Sequence, residues 1–244
     1  MAGHGQSVGC LLMNLPPILQ SVLHLFLPHH CAGCGSDVIS EKQVLCLRCQ
    51  SALPFTGFHL HQHNPVEKIF WGRMPVNNAA SLLYFTKDSL LQQLIHQLKY
   101  RGNKEIGHYF GEKIGEAIRQ SKHFNGLDAL VPLPLYAARE RKRGYNQAAV
   151  VCEGIASTTQ LPILKKVITR VKATAAQTHK RRTARFQNME GKFRLRNAAA
   201  IQQKHILLVD DVVTTGATLE ACGQTLLAAG NVQISIFTIA FTLK

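Results

Sequence analysis

No Lys or Arg precedes Lys42, so the N-terminus lacks the basic region that opens a secretory signal. A long apolar run is missing as well. Leu, Ile and Val are plentiful between Cys10 and Leu27, but Pro16 and Pro17 interrupt them, and Asn14, Gln20 and His24 add polarity. A membrane-spanning helix needs about 20 uninterrupted apolar residues. The stretch 15–27 is instead expected to form a short amphipathic helix with Leu19, Leu23 and Leu27 on one face. It would pack on the module that follows or, alternatively, rest against a membrane surface. No Gly-x4-Gly-Lys-Ser/Thr sequence occurs anywhere, which excludes a P-loop nucleotidase. Acidic residues are scarce, 14 Asp+Glu against 28 Lys+Arg, leaving a formal net charge of +14. Such an excess points to a polyanionic partner, either nucleic acid or a phosphorylated small molecule.

The 7 cysteines do not form an even set, and four of them sit in two pairs, Cys31-x2-Cys34 and Cys46-x2-Cys49. That pattern suits a metal better than a secreted disulfide framework. Each short turn aims two thiolates at one tetrahedral ion, and four sulfurs close the shell of a Zn²⁺, making the site structural. His29 and His30 are adjacent and are alternative ligands; the four cysteines are preferred. Cys10, Cys152 and Cys222 are expected to be buried small apolar residues. His59, His61 and His63 form an alternating triplet that would face a metal only if extended, and a solvated loop is the commoner outcome.

From Val76 the pattern becomes regular. Ala79–Phe85 is expected as a strand. A helix with Leu90, Leu91, Leu94, Ile95 and Leu98 follows, capped by Asp88 or Ser89. A second helix carries Ile106, Phe110, Ile114 and Ile118. Leu127–Val131 is expected as a strand that turns sharply at Pro132–Leu135, a helix ends near Thr158, and Leu161–Ile168 and Val232–Ala240 are further strands. Alternating strands and helices imply an α/β domain with a mainly parallel sheet. The domain division is placed at 1–75, an N-terminal helix and zinc module, and 76–244, the α/β domain. The stretch 169–203 has little apolar periodicity, and its Arg170, Lys172, Lys180, Arg181, Arg182 and Arg185 have no acidic neighbour before Glu190. This long polar stretch reads as a mobile lid or as solvated surface.

The chain is organised around Ile206–Thr218, ILLVDDVVTTGAT. The apolar run Ile206–Val209 is expected as a buried parallel strand closed by Asp210 and Asp211. Val213, Thr214, Thr215, Gly216, Ala217 and Thr218 lead into a helix running to about Ala229, with Gly230 as its stop. A Gly/Thr-rich turn at a helix N-terminus offers free N–H groups and a positive dipole end to an anion. The aspartates suit sugar hydroxyls or a Mg²⁺ ion. A phosphorylated ribose satisfies both halves. An apolar strand ending in two Asp also occurs as a Walker B strand, but that needs a phosphate loop this chain lacks.

VDDVVTTGAT resembles the phosphoribosyl-pyrophosphate (PRPP) loop of type I phosphoribosyltransferases. The four-Cys module, LIHQLKYRG at 94–102, LVPLPL at 130–135, RERKRGYNQ at 139–147 and QTHKRRTARFQNMEGKF at 177–193 make the whole chain similar to the ComF-like (competence protein F) family. That family commonly has His or Pro after the Pro-x-Pro-Leu turn, where this chain has Tyr136 and Ala137. The resemblance implies a type I phosphoribosyltransferase-like fold. It implies that Asp210 and Asp211 hold the ribose hydroxyls and that Val213 and Thr214 to Thr218 wrap the 5-phosphate. The Leu133 region would be the pyrophosphate loop and 174–190 a flexible loop. Mg²⁺ would accompany PRPP, and Arg181 and Arg182 would neutralise the leaving pyrophosphate. It further implies a cytoplasmic role in natural transformation or DNA utilisation, with single-stranded DNA and uptake proteins as partners. Two readings stay open: a phosphoribosyltransferase whose acceptor and general base the sequence does not mark, Tyr136 and Tyr145 being candidates, or a non-catalytic module binding single-stranded DNA or the uptake machinery and retaining the PRPP site as sensor or relic.

Overall fold

The computed structural model describes residues 29–37, 39–40, 43–171 and 192–242. The expected helix at 15–27, Cys10, and the lid with Arg181 and Arg182 lie outside these residues. The chain divides into two compact units, Met1–Ser51 and Ala52–Lys244. Residues 52–75 thus belong with the larger unit rather than with the cysteine module, where the sequence reading placed them.

In the smaller unit the first Cys pair lies on a turn closed by Gly35 N–H donating to the Cys31 carbonyl at 2.9 Å. The second pair leads into the short helix α1, Leu47–Ser51.

The larger unit is built on a four-stranded, wholly parallel sheet of β1 (Ala79–Phe85), β2 (Ala129–Pro132), β5 (His205–Val213) and β6 (Gln233–Thr242), in the spatial order β1-β6-β5-β2. The central strand is apolar on both faces, with Ile206, Leu207, Leu208 and Val209 all at 0% exposure. That is the pattern of a parallel strand covered on either side. The helices around the sheet are α2 (Pro65–Lys68), α3 (Leu90–Tyr100), α4 (Lys104–Gln120), α5 (Ala137–Arg143), α6 (Gln147–Thr159) and α7 (Ala217–Leu227). A separate antiparallel pair, β3 (Ile168–Arg170) with β4 (Phe193–Leu195), flanks the segment 172–191.

Local chemistry explains most boundaries. Ser89 rather than Asp88 caps α3, its hydroxyl accepting the Gln92 N–H at 3.2 Å, and α3 buries Leu91, Leu94, Ile95 and Leu98 at helical spacing. Asn146 caps α6 through Ala148 N–H at 3.0 Å. Helices α4 and α6 bring their backbones together at Gly111 and Gly154. A Cβ on Gly111 would lie 2.3 Å from the Val151 carbonyl oxygen and 2.8 Å from Gly154 Cα, so only glycine fits.

Two expectations are corrected. Leu161–Ile168 is not a strand: Ile163 makes a single bridge to Leu130, because Pro162 has no N–H to continue the ladder. The strand at the centre does not close at Val209; β5 continues through Asp210 and Asp211 to Val213, paired with β6 as far as Phe241. Cys152 and Cys222 are buried, as expected. Among the described residues no helix is long and apolar enough to cross a membrane.

Candidate functional site

All four sheet strands run the same way, so their carboxyl ends open on one edge, where ligands of α/β sheets bind. At that edge β5 passes through Thr214 and Thr215 into α7. Gly216 makes the turn with φ +71°, and a Cβ there would meet Ile69 Cγ2 at 2.5 Å and Phe70 Cε1 at 3.0 Å. Glycine is therefore required twice, for its dihedral and for the close approach of 69–70. The turn and the first residues of α7 enclose a hollow of ≈ 60 Å³, lined by Asp210, Val212, Val213, Thr214, Thr215, Gly216, Ala217, Thr218 and Leu219. The first N–H groups of a helix have no partner within it, and α7 presents them here at its positive end. Every residue expected to wrap a phosphate lines this one hollow.

Sequence reasoning missed the group that fastens the loop. The Arg73 guanidinium donates to the Thr215 carbonyl at 2.8 Å and to the Ile69 carbonyl at 2.9 Å, and also pairs with Glu220 on α7. The Gln224 side-chain amide donates to the Arg73 carbonyl at 3.2 Å. Nothing near Arg73 in the sequence signals this role, because the loop and helix it fastens, at Thr215, Glu220 and Gln224, are far along the chain.

The two aspartates part company. Successive residues of a strand face opposite sides of the sheet, and β5 is still a strand at this point. Asp210 lines the hollow beside the threonines. Asp211, with its side chain 6% exposed, faces the other side, where Lys99 Nζ of α3 lies 3.0 Å from its Oδ2. The ammonium is close enough for an ion pair but not aligned as a hydrogen bond, and Oδ2 has no hydrogen-bond partner. The two carboxylates, both expected to hold the ribose, thus straddle one strand. Burial first, and the Asp211 charge second, raise the Asp210 carboxyl to about 8, while the Asp211 N–H, Lys99 and Arg170 act in the opposite direction.

Arg170, at the end of β3, is held between two rings. Its guanidinium carbon lies 4.3 Å from the Tyr136 ring centroid and 5.4 Å from that of Phe193, while its buried Nε has no hydrogen-bond partner. Its charge reaches Asp210. Leu133 does not line the phosphate hollow. It is 4% exposed; its N–H donates to the Val209 carbonyl at 2.8 Å and its own carbonyl accepts the Asn146 side-chain amide at 3.0 Å. It braces β2 against β5. Tyr145 donates its hydroxyl to the Leu98 carbonyl, and burial raises its pKa, partly offset by Arg143. Of the two tyrosines named as candidate bases, Tyr145 has its hydroxyl engaged in this bond, and Tyr136 lends its ring to Arg170.

In the smaller unit the sulfurs of Cys31, Cys34, Cys46 and Cys49 all lie within 4.8 Å of one another, close enough to share one ion. Burial pushes the Cys31 thiol up, but the N–H groups of Cys34, Cys46 and Gly33 outweigh it and bring the thiol down to about 6. Cys49 is raised by burial and by its sulfur neighbours. The cluster holds a ready thiolate and three further donors, and it could bind a metal such as zinc. His59, His61 and His63 join no metal-competent group among the described residues.

Comparison with known proteins agrees with this geometry. The family model for the phosphoribosyl transferase domain matches residues 136–243, which contain Arg170, both aspartates and the whole loop. The DNA utilization protein YhgH of Salmonella typhi is 33% identical over 216 residues, covering 87% of this chain and 90% of the relative. Competence protein F of Haemophilus influenzae is 28% identical over 222 residues, 89% of this chain and 93% of its own. Competence protein ComFC of Bacillus subtilis is 31% identical over 159 residues, 64% of this chain and 61% of its own. From the extent of these matches, together with the phosphoribosyl transferase domain and the four-Cys cluster, the chain belongs to the ComF-like family of type I phosphoribosyltransferase-fold proteins.

Proposed function

We propose that the chain binds PRPP with Mg²⁺ at the β5–α7 edge and acts in the uptake or utilisation of DNA, with zinc in the four-Cys cluster as a structural ion. The observation that carries the PRPP reading is the phosphate-sized hollow, ≈ 60 Å³, which has a helix N-terminus and three threonines on one side and a carboxylate on the other. The loop takes the 5-phosphate, and Asp210 takes a ribose hydroxyl or a water of the cation. Mg²⁺, when bound with PRPP, neutralises pyrophosphate charge. Arg170, already fixed by its two rings, adds a cation at the site, and Arg181 and Arg182 on the lid would add two more. If a transfer occurs, the bond from C1 to pyrophosphate breaks as C1 bonds to an acceptor, and positioning and charge stabilisation are the means available. The names of the relatives support the DNA role, and a cytoplasmic location goes with it.

The test is calorimetry of Mg²⁺-PRPP with the whole chain. Asp210→Asn should lose binding while its unfolding curve stays near that of the wild type; unchanged affinity would remove the sugar site.

One observation favours the second reading, a single-stranded DNA-binding module. Helix α5 buries none of its side chains. It carries Arg139, Arg141, Lys142 and Arg143, and the Arg143 guanidinium carbon lies 5.4 Å from the ring centroid of Tyr100, itself 68% exposed. Cations around an open aromatic ring suit unpaired bases and their phosphates. Binding of this kind weakens steeply with salt, and a flat salt response would dismiss it.

A further inference from the structure

Part of the phosphate hollow's wall is a peptide unit with two ways to face. Gly216 sits at φ +71° and ψ −5°, and a glycine tolerates the plane between Thr215 and Gly216 turned either way. A trans peptide points its C=O and its N–H in opposite directions. With the carbonyl turned outward, the Gly216 N–H faces the hollow and can donate to an anion. With the plane reversed, the carbonyl oxygen faces the hollow and repels one. The segment behind the loop acts on this choice. Arg73 Nη1 donates to the Thr215 carbonyl at 2.8 Å and to the Ile69 carbonyl at 2.9 Å, which uses both of its hydrogens, while Nη2 pairs with Glu220. The main chain of Arg73 is anchored as well: its N–H donates to the Phe70 carbonyl at 3.0 Å, and its carbonyl accepts the Gln224 amide at 3.2 Å. Ile69, Phe70 and Arg73 do not line the hollow. Ile69 and Phe70 stand on the side toward which a Gly216 Cβ would point.

We propose that Arg73 is a positioning residue for phosphate binding: by holding the Thr215 carbonyl on the outer side of the loop, it keeps the Gly216 N–H turned into the hollow to receive a phosphate ester. The proposal rests on the PRPP reading only in taking the hollow's ligand to be a phosphate. Geometry, not charge, is the means. Glu220 neutralises the guanidinium, and the loop itself stands between Arg73 and the hollow. The planar fork of an arginine is what the arrangement requires. One nitrogen bridges two carbonyls, and the other reaches a carboxylate one turn into α7. The loop peptide and the start of α7 are therefore held by one rigid group against the segment 69–73. A loop fixed in this way before the ligand arrives avoids the cost of ordering it on binding. The glycine that permits the tight turn also permits the wrong peptide orientation, and Arg73 removes that freedom.

The test uses the full-length chain, labelled with ¹³C at the threonine carbonyl and with ¹⁵N in glycine. Thr-Gly occurs at two places, Thr56–Gly57 and Thr215–Gly216, so an NMR spectrum correlating each glycine N–H with the preceding carbonyl carbon holds two signals. Ribose 5-phosphate is the probe, and calorimetry gives its affinity. In the wild type the Gly216 proton should move downfield as the probe is added, while Thr56–Gly57 stays in place. Arg73→Met/Glu220→Gln removes both charges of the pair together, so the net charge beside the loop is unchanged. In that variant the Thr215 carbonyl signal should move upfield before any probe is added. The Gly216 response should disappear, and affinity should fall about tenfold to a hundredfold, the worth of a hydrogen bond to a charged group. An unmoved Thr56–Gly57 signal checks that the fold is intact. A Gly216 response and an affinity equal to wild type in the double variant would overturn this proposal and leave the PRPP reading standing. So would a wild-type chain that binds the probe while Gly216 does not respond, a result that needs no variant. A wild-type chain that gives neither heat nor a Gly216 shift would sink the phosphate site and both readings with it.

Discussion

Replacing Gly216 by Ala tests the loop geometry with a single methyl group. Gly216 has φ +71°, and holding an L-residue in the left-handed region costs about 1–2 kcal/mol. The new Cβ would lie 2.5 Å from Ile69 Cγ2 and 3.0 Å from Phe70 Cε1. Ile69 is half-buried, but Phe70 is 1% exposed and cannot swing away. Overpacking of this kind costs about 1–3 kcal/mol. The sum is about 2–5 kcal/mol, less whatever the loop recovers by shifting. A shift would carry the N-terminus of α7 with it, so stability regained should appear as lost phosphate affinity. Urea unfolding of the whole chain and calorimetry with Mg²⁺-PRPP measure the two effects side by side. Ile69→Ala in the same chain separates the causes: it removes the nearest clashing atom and should return part of the steric loss, but none of the dihedral loss. Such non-additivity is expected only between touching residues. Wild-type stability together with wild-type affinity in Gly216→Ala would refute the reasoning.

Two other outcomes follow from the structure. Metal analysis of the purified chain should find about one zinc per molecule, and Cys46→Ser/Cys49→Ser should lose it; retention of the ion would show that other residues hold it. His205 is lowered from 6.5, by burial first, with Gly126 and Asp128 opposing. The unfolded chain therefore takes up this proton before the folded one, so the contribution is complete above the unfolded pKa and declines as pH falls below it. Stability should drop between roughly pH 7 and pH 5, and His205→Gln should flatten that slope. An unchanged slope in the variant would assign the effect to other histidines.

Much of the fold was legible because the signals are local. The apolar spacing of α3, the runs of β1 and β6 and the glycine-threonine turn after β5 need only neighbours in sequence to be understood. The cysteine pairs are equally local, and the cluster follows from two short turns folded together. Strand boundaries were harder. β5 runs four residues past Val209 because pairing with β6 outweighs the polarity of Asp210 and Asp211, and the ladder at Ile163 fails on the missing donor of Pro162.

The site divides in the same way. The phosphate hollow is a continuous segment, so its residues were found together. Arg73 and Lys99 were not assigned these roles, and Arg170 was expected only as one of the lid arginines, since each acts on residues brought near by packing. The amino-acid order alone determined that a strand, a glycine-threonine turn and a helix N-terminus follow one another, and that four thiols lie in two tight turns. Only the tertiary structure decided which way each carboxylate faces. Strand pairing carries β5 through both aspartates, the alternation of a strand sends them to opposite sides, and α3 places Lys99 against one of them. Two carboxylates adjacent in sequence thereby came to serve opposite sides of one strand.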